Sequence, residues 1–148
     1  MPTASSLERE LVRHWYEARN QHDWSSIENS VHEHFVCENM MLGVVISGRS
    51  DYAQYCRDFD LAFSDAKFRI DRMISAPGGL FVVEVTVTGT QTGAFGVFPP
   101  SGQNVVMQFC DVLKVEGLRI ASLRTYGDLY QPLVQMRHVI LQEKSAAA

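Results

Sequence analysis

The sequence predicts an α+β domain in which three helices wrap a curved antiparallel sheet. Three observations carry this. Apolar residues recur at helical spacing through most of the first half, as far as Phe63, and at period 2 from Phe68 onward. The period-2 segments are separated by compact turn signals, Pro77-Gly78-Gly79, Pro99-Pro100-Ser101-Gly102 and Glu116-Gly117. Helices first and hairpin-linked strands afterwards is the order of an α+β chain.

Each element follows from local pattern. Ser5 and Glu8 have capping-box spacing, and Leu7, Leu11, Trp15 and Ala18 recur behind them, which predicts a helix over residues 6–20. Asp23 is placed to cap a short second helix that buries Trp24, Ile27 and Val31. Residues 35–41 read as a strand. Ser50 or Asp51 is the expected cap of a third helix, whose Tyr52, Tyr55, Phe59 and Phe63 form an aromatic stripe. Strands are then predicted at residues 68–74, 80–90, 105–115 and 119–126, the second rich in Val and Thr. Asp128 opens a short terminal segment around Pro132, and residues 144–148 are expected to fray.

The 148 residues fit one domain, with a core over about residues 6–137. Apolar residues make up 46% and charged residues 20%, the balance of a soluble globular domain. A net charge of −4, with basic residues scattered, argues against nucleic acid. No apolar run approaches the ~20 residues that span a bilayer, and residues 1–11 lack the form of a secretory signal. Cys37, Cys56 and Cys110 are widely spaced with no CxxC pair, which predicts reduced thiols and a cytoplasmic setting.

Three stretches carry a resemblance. They are residues 31–40; Gly89-Thr90-Gln91-Thr92-Gly93 followed by Pro99-Pro100-Ser101-Gly102; and Asp111 to Ile120 followed by Leu123-Arg124-Thr125-Tyr126-Gly127-Asp128. In this order and spacing the chain resembles the nuclear transport factor two and SnoaL-like polyketide cyclase superfamily, from about Leu7 to Met136. The superfamily also contains ketosteroid isomerase, limonene epoxide hydrolase and scytalone dehydratase. The resemblance implies a cone-shaped, cystatin-like α+β barrel with an internal pocket. It also implies a homodimer formed through the outer face of the sheet.

Asp111 is the first candidate for chemistry. Alternation puts it on one strand face with Met107, Phe109 and Leu113, and a carboxyl in that company has a raised pKa and is able to stay protonated near neutrality. The resemblance places it where ketosteroid isomerase has its oxyanion-hole aspartate. The alternative is a carboxyl outside the pocket, bonded to backbone or to an Arg. Asn39 shares a face with Cys37 and Met41, and the resemblance places it at a base or water-positioning site. An amide orients a water or carbonyl but takes no proton; alternatively it satisfies loop backbone. Trp15 maps onto a first-helix donor, or is a core Trp. Tyr55 and Phe59 roof the pocket, or belong to the core.

Departures from the family matter as much. Thr125 stands where the cyclases and the epoxide hydrolase have a catalytic Asp, Gln91 where the cyclases have a His, and Val85 and Val87 where the hydrolase has an Arg and a second Asp. Arg124, Tyr126 and Asp128 match the family and alternate away from Thr125, toward the outer face.

The expected function is a cofactor-independent cyclase or isomerase acting by acid/base chemistry on a small hydrophobic, polyketide- or terpenoid-like metabolite. Asp111 and Asn39 are the candidate catalytic residues. Trp15, Cys37, Tyr55, Phe59, Val85, Gln91, Phe109 and Thr125 are the candidate substrate-binding residues. The alternatives are a non-catalytic ligand-binding or scaffold module of the same fold, and an epoxide hydrolase or dehydratase with displaced catalytic residues. No metal, nucleic-acid or membrane partner is expected.

Overall fold

The architecture comes from a computed structural model, which describes residues 6–140. The Ser5 cap and residues 144–148 lie outside them. In chain order the elements are α1 (Ser6–Asn20), α2 (Trp24–Ser30), β1 (Val31–Asn39), β2 (Val44–Ser47), α3 (Arg49–Ala62), β3 (Lys67–Ala76), β4 (Leu80–Thr90), β5 (Asn104–Glu116), β6 (Arg119–Gly127) and α4 (Tyr130–Gln135). The six strands form one sheet in the order β2-β1-β6-β5-β4-β3.

The α+β class stands, with differences in detail. Neighbouring strands pair antiparallel except β1 and β6, which run parallel. Among the described residues β1 is the first strand and β6 the last, so only the assembly of the sheet sets them side by side. β2 is an additional short edge strand; four residues with no buried position give period 2 little to register. α4 makes a fourth helix, packed on β5.

Helix ends follow capping chemistry in one case and not in the other. Asp23 caps α2, accepting from the Ser26 backbone N–H at 3.1 Å and the Ser26 hydroxyl at 2.7 Å. The cap of α3 is Gly48, not Ser50 or Asp51, and it has no side-chain hydrogen bond. Its φ of 89° is a conformation that glycine adopts without strain. β1 ends at Asn39 because the side-chain oxygen of Asn39 accepts from the N–H groups of Met41 and Leu42 (3.0 and 3.1 Å), which turns the chain.

α1 buries Trp15 and Ala18 of the stripe its spacing suggested and packs Leu11 against the core, but not Leu7. Leu7 is exposed, and the buried face runs Val12, Trp15, Tyr16, Ala18 and Arg19. α1 packs against β3 and α2, and α3 against β1 and β2. The core lies between this layer and the inner sheet face, where Phe81, Val83, Val85, Val87 and Leu113 are buried.

Candidate active site

A cavity of about 560 Å³ lies between the helices and the inner face of the sheet, a size suited to a small organic ligand. α1 supplies Trp15, Tyr16 and Arg19 to its wall, and α3 supplies Tyr52, Tyr55 and Phe59. The Gly93–Ala94–Phe95–Gly96 loop borders it as well. Gly93 sits so close to the carbonyl of Leu61 that any Cβ would collide with it, which fixes this loop against the end of α3.

The sheet contributes one polar row. Asn39 of β1 pairs in register with Thr125 of β6, and Thr125 with Asp111 of β5. Adjacent strands lie ~4.8 Å apart, so the three side chains stand side by side on the cavity face, between the apolar Met107, Phe109 and Leu123. Arg124 and Tyr126, one residue away on β6, are exposed on the opposite face, where Arg124 meets Glu38 at 3.3 Å. Asp128 accepts from the N–H groups of Tyr130 and Gln131 at the start of α4.

Asp111 is 5% exposed, and each of its oxygens has a protein donor. The Tyr16 hydroxyl donates to Oδ2 at 2.7 Å and the Thr125 hydroxyl to Oδ1 at 2.8 Å. Burial pushes the carboxyl up to about 6, while the Tyr16 and Thr125 bonds and the charge of Arg19 pull it down. The direction is the expected one, but the extent leaves Asp111 mostly ionised at neutral pH, an acceptor rather than a donor. A carboxylate has about four lone-pair sites, so two remain for a proton from the cavity. Burial first, and the facing Asp111 second, push the Tyr16 phenol well above its usual value, so it keeps its hydrogen.

The loop-backbone reading of Asn39 is the one the structure shows, and its amide is engaged by a protein partner. Its oxygen caps the loop backbone, and that fixes its amide nitrogen toward Tyr55, whose hydroxyl oxygen accepts at 2.6 Å. Burial raises the Tyr55 phenol to about 12. Its own hydrogen is left for an oxygen inside the cavity, and accepting from Asn39 makes it the stronger donor. Cys37 also lines the cavity, but burial lifts its thiol to about 12, so it carries no thiolate nucleophile at neutral pH.

Two expected binding residues lie elsewhere. Gln91 is fully buried outside the cavity, where its amide donates to the carbonyls of Phe98 and Pro99 and its oxygen meets His138 Nε2 at 2.8 Å. It clamps a loop to the C-terminal segment. Val85 is buried in the core and is not part of the cavity wall. Sequence reasoning missed Tyr16, having taken Trp15 as the first-helix donor. Trp15 lines the cavity, but Tyr16 reaches Asp111. The signal was present in the spacing 12, 15, 16, 19, which puts Tyr16 on the buried face.

The SnoaL-like polyketide cyclase family model matches residues 9–136. The chain belongs to that family. No curated protein matches it. Among solved structures it is similar to a candidate SnoaL-like polyketide cyclase from Jannaschia sp. CCS1, with TM-score 0.83, 15% identity, and 95% of this chain and 98% of that one covered. TsrD from Streptomyces laurentii gives 0.82 and 20%, covering 93% and 100%. An LEH-like epoxide hydrolase from M. tuberculosis gives 0.72 and 19%, covering 92% and 93%. At these identities the likeness is one of fold.

Within the SnoaL-like family, the departures now have a spatial meaning. Thr125, where an Asp was expected, sits beside Asp111 and bonds to it, so this SnoaL-like chain has one carboxyl in the polar row where two would repel. Gln91, where a His was expected, has left the cavity. No helix among the described residues is long and apolar enough to cross a membrane.

Proposed function

We propose that this SnoaL-like protein is a cyclase or isomerase for a small, largely apolar carbonyl compound, with Asp111 as general base. The observation that carries this is the Asp111 carboxyl, set in the wall of a roomy apolar cavity, held by two protein donors and poised at about 6. A base near the working pH combines availability with strength.

Asp111 takes a proton from a carbon next to a carbonyl. The C–H electron pair forms the enolate double bond, and the carbonyl oxygen takes up the charge, where the Tyr55 hydroxyl donates to it with Asn39 behind. For isomerisation, protonated Asp111 returns the proton to another carbon of the conjugated system. For cyclisation, the enolate carbon attacks a second carbonyl of the same molecule, a carbon–carbon bond forms, and protonated Asp111 gives its proton to the resulting alkoxide. Phe59, Phe109 and Met107 hold the folded conformer, and orientation supplies part of the acceleration.

A non-catalytic ligand-binding role is the second reading, favoured by the absence of the family Asp and His at Thr125 and Gln91. An epoxide-opening role lacks its charged groups, since Val85 and Val87 are buried and apolar.

The test uses 2-tetralone in deuterated buffer, with deuterium entry at C1 followed by NMR. Exchange is expected to rise with pH through about 6 and then level off. Asp111→Asn is expected to slow it by about 10²–10⁴-fold. A wild-type rate equal to buffer alone, or an unchanged rate in the variant, would transfer the protein to the ligand-binding reading.

A further inference from the structure

The cavity has a closed end and an open one. On its β5 wall Phe109 and Met107 precede Asp111 in the direction of Asn104. At ~3.4 Å per strand residue they lie ~7 and ~14 Å from it. Asn104 pairs with Thr90, the end of β4 that leads into the 93–96 loop. In the other direction Leu113 pairs with Phe81, and both are fully buried. The Asp111 row therefore lies toward the closed end.

The open end is rimmed by apolar side chains. Among the described lining residues, the exposed ones are Leu42, Asp58, Leu61, Ala94 and Gly96. Leu61 ends up beside the loop because its carbonyl lies against Gly93. The turn after β1 reaches the same end through Met41. A Cβ at Gly127, the β6 partner of Phe109, would come within 2.7 Å of the Met41 Sδ. Leu61 is 73% exposed and Leu42 37%, and Val97 beside Gly96 is 90% exposed. A lone exposed leucine calls for no explanation. These adjoin one opening, and contiguous apolar surface of that kind marks a place of binding. Asp58 is the charged residue among the exposed lining residues, and its carboxylate accepts from Gln54 at 2.9 Å, one turn back on α3.

We infer that the ligand carries an apolar chain on the side away from its reacting carbonyl, and that this chain leaves the cavity between Leu42, Leu61 and the 93–96 loop. Met41, with an unbranched and polarisable thioether, adapts to the chain as it passes. An alkyl chain can lie in the cavity and on the rim at once, whereas a second protein surface covers the rim alone. This rests on the proposed reading of the cavity as the substrate site and adds to it the class of substrate, a carbonyl compound with an apolar tail.

The experiment titrates the intact protein with 2-pentanone, 2-nonanone and 2-tridecanone, followed by tryptophan fluorescence, since Trp15 lines the cavity. Affinity is expected to rise through the whole series, by up to about fourfold for each added methylene. Leu61→Ser and Leu42→Ser change exposed side chains and leave the core intact. Each is expected to cut the ratio of 2-tridecanone to 2-pentanone affinity by at least about threefold. Asp111→Asn is expected to keep that ratio, so the tail subsite and the proposed base fail separately. An affinity that stops rising by 2-nonanone, no measurable binding of 2-tridecanone, or an unchanged ratio in both leucine variants would overturn the inference. So would a wild-type dimer in sedimentation that Leu61→Ser splits, because a second copy then covers the rim.

Discussion

Asp111 on the inner face of the sheet and Asp71 on its outer face are built from the same parts. Each is a strand aspartate that accepts from a threonine hydroxyl on the neighbouring strand and from one further side chain. For Asp111 these are Thr125 and Tyr16; for Asp71 they are Thr86 and Arg69. In both, the hydrogen bonds favour the charged form. Yet Asp71 is lowered and Asp111 is raised to about 6. Asp71 is exposed and Asp111 is sealed beneath α1, so withdrawal from water sets the sign. The Asp111 hydrogen bonds then keep the rise moderate, so that the group remains available as a base.

The largest effect that would break this contrast is on stability. Asp111 has its pKa raised in the folded state, so its contribution is fully present below the unfolded value of 3.8 and is lost as pH rises through about 6. That rise corresponds to about 3 kcal/mol. Urea unfolding from pH 4 to 7 is expected to show this decline in the wild type and not in Asp111→Asn. Parallel curves for the two would mean that the carboxyl is not desolvated.

A buried polar group whose partners are all protein sharpens the point from another side. Gln91→Ala removes bonds to Phe98, Pro99 and His138. It is expected to lower stability by about 2 kcal/mol and to leave the affinity for cavity probes unchanged. A large loss of probe affinity in a folded variant would return Gln91 to the site.

Next comes the tuning of Asp111 itself. Thr125→Val keeps the shape and removes one donor, so the carboxyl is expected to titrate at roughly 7 instead of about 6. Carboxyl-carbon NMR reads this directly, and the acid limb of the tetralone exchange profile should move with it. A downward move would show that Thr125 does not support the charge.

The smallest effect is at Asp71, and it has the opposite sign. Its lowered pKa contributes stability above the unfolded value of 3.8, which is lost as pH falls through the folded one. Asp71→Asn is expected to remove a shallow acid-side loss of stability and to change little at pH 7. Unfolding curves at pH 3 and pH 7 decide it, and a destabilisation at pH 7 comparable with the Asp111 effect would erase the distinction.

The residues themselves determined much of this. Turn signals and period-2 alternation placed β3 to β6 within a residue or two of their ends. The same alternation put Asp111 with Met107 and Phe109, and Thr125 opposite Arg124 and Tyr126. Asp23 announced the start of α2, and Tyr55 and Phe59 were legible as one helix face, with roof and core both open. These are local matters, because a pleated strand or a helical turn fixes the direction of each side chain from its neighbours in the chain.

The tertiary structure decided what stands next to what. Tyr16 and Asp111 are 95 positions apart, and nothing local distinguishes Tyr16 from Trp15 as the partner. The parallel pairing of β1 and β6 brought Asn39 beside Thr125, and loop packing took Gln91 out of the cavity. Whether a carboxyl is raised or lowered depends on how much water the whole fold excludes around it. That is a property of packed elements distant in sequence, and local periodicity carries no record of it.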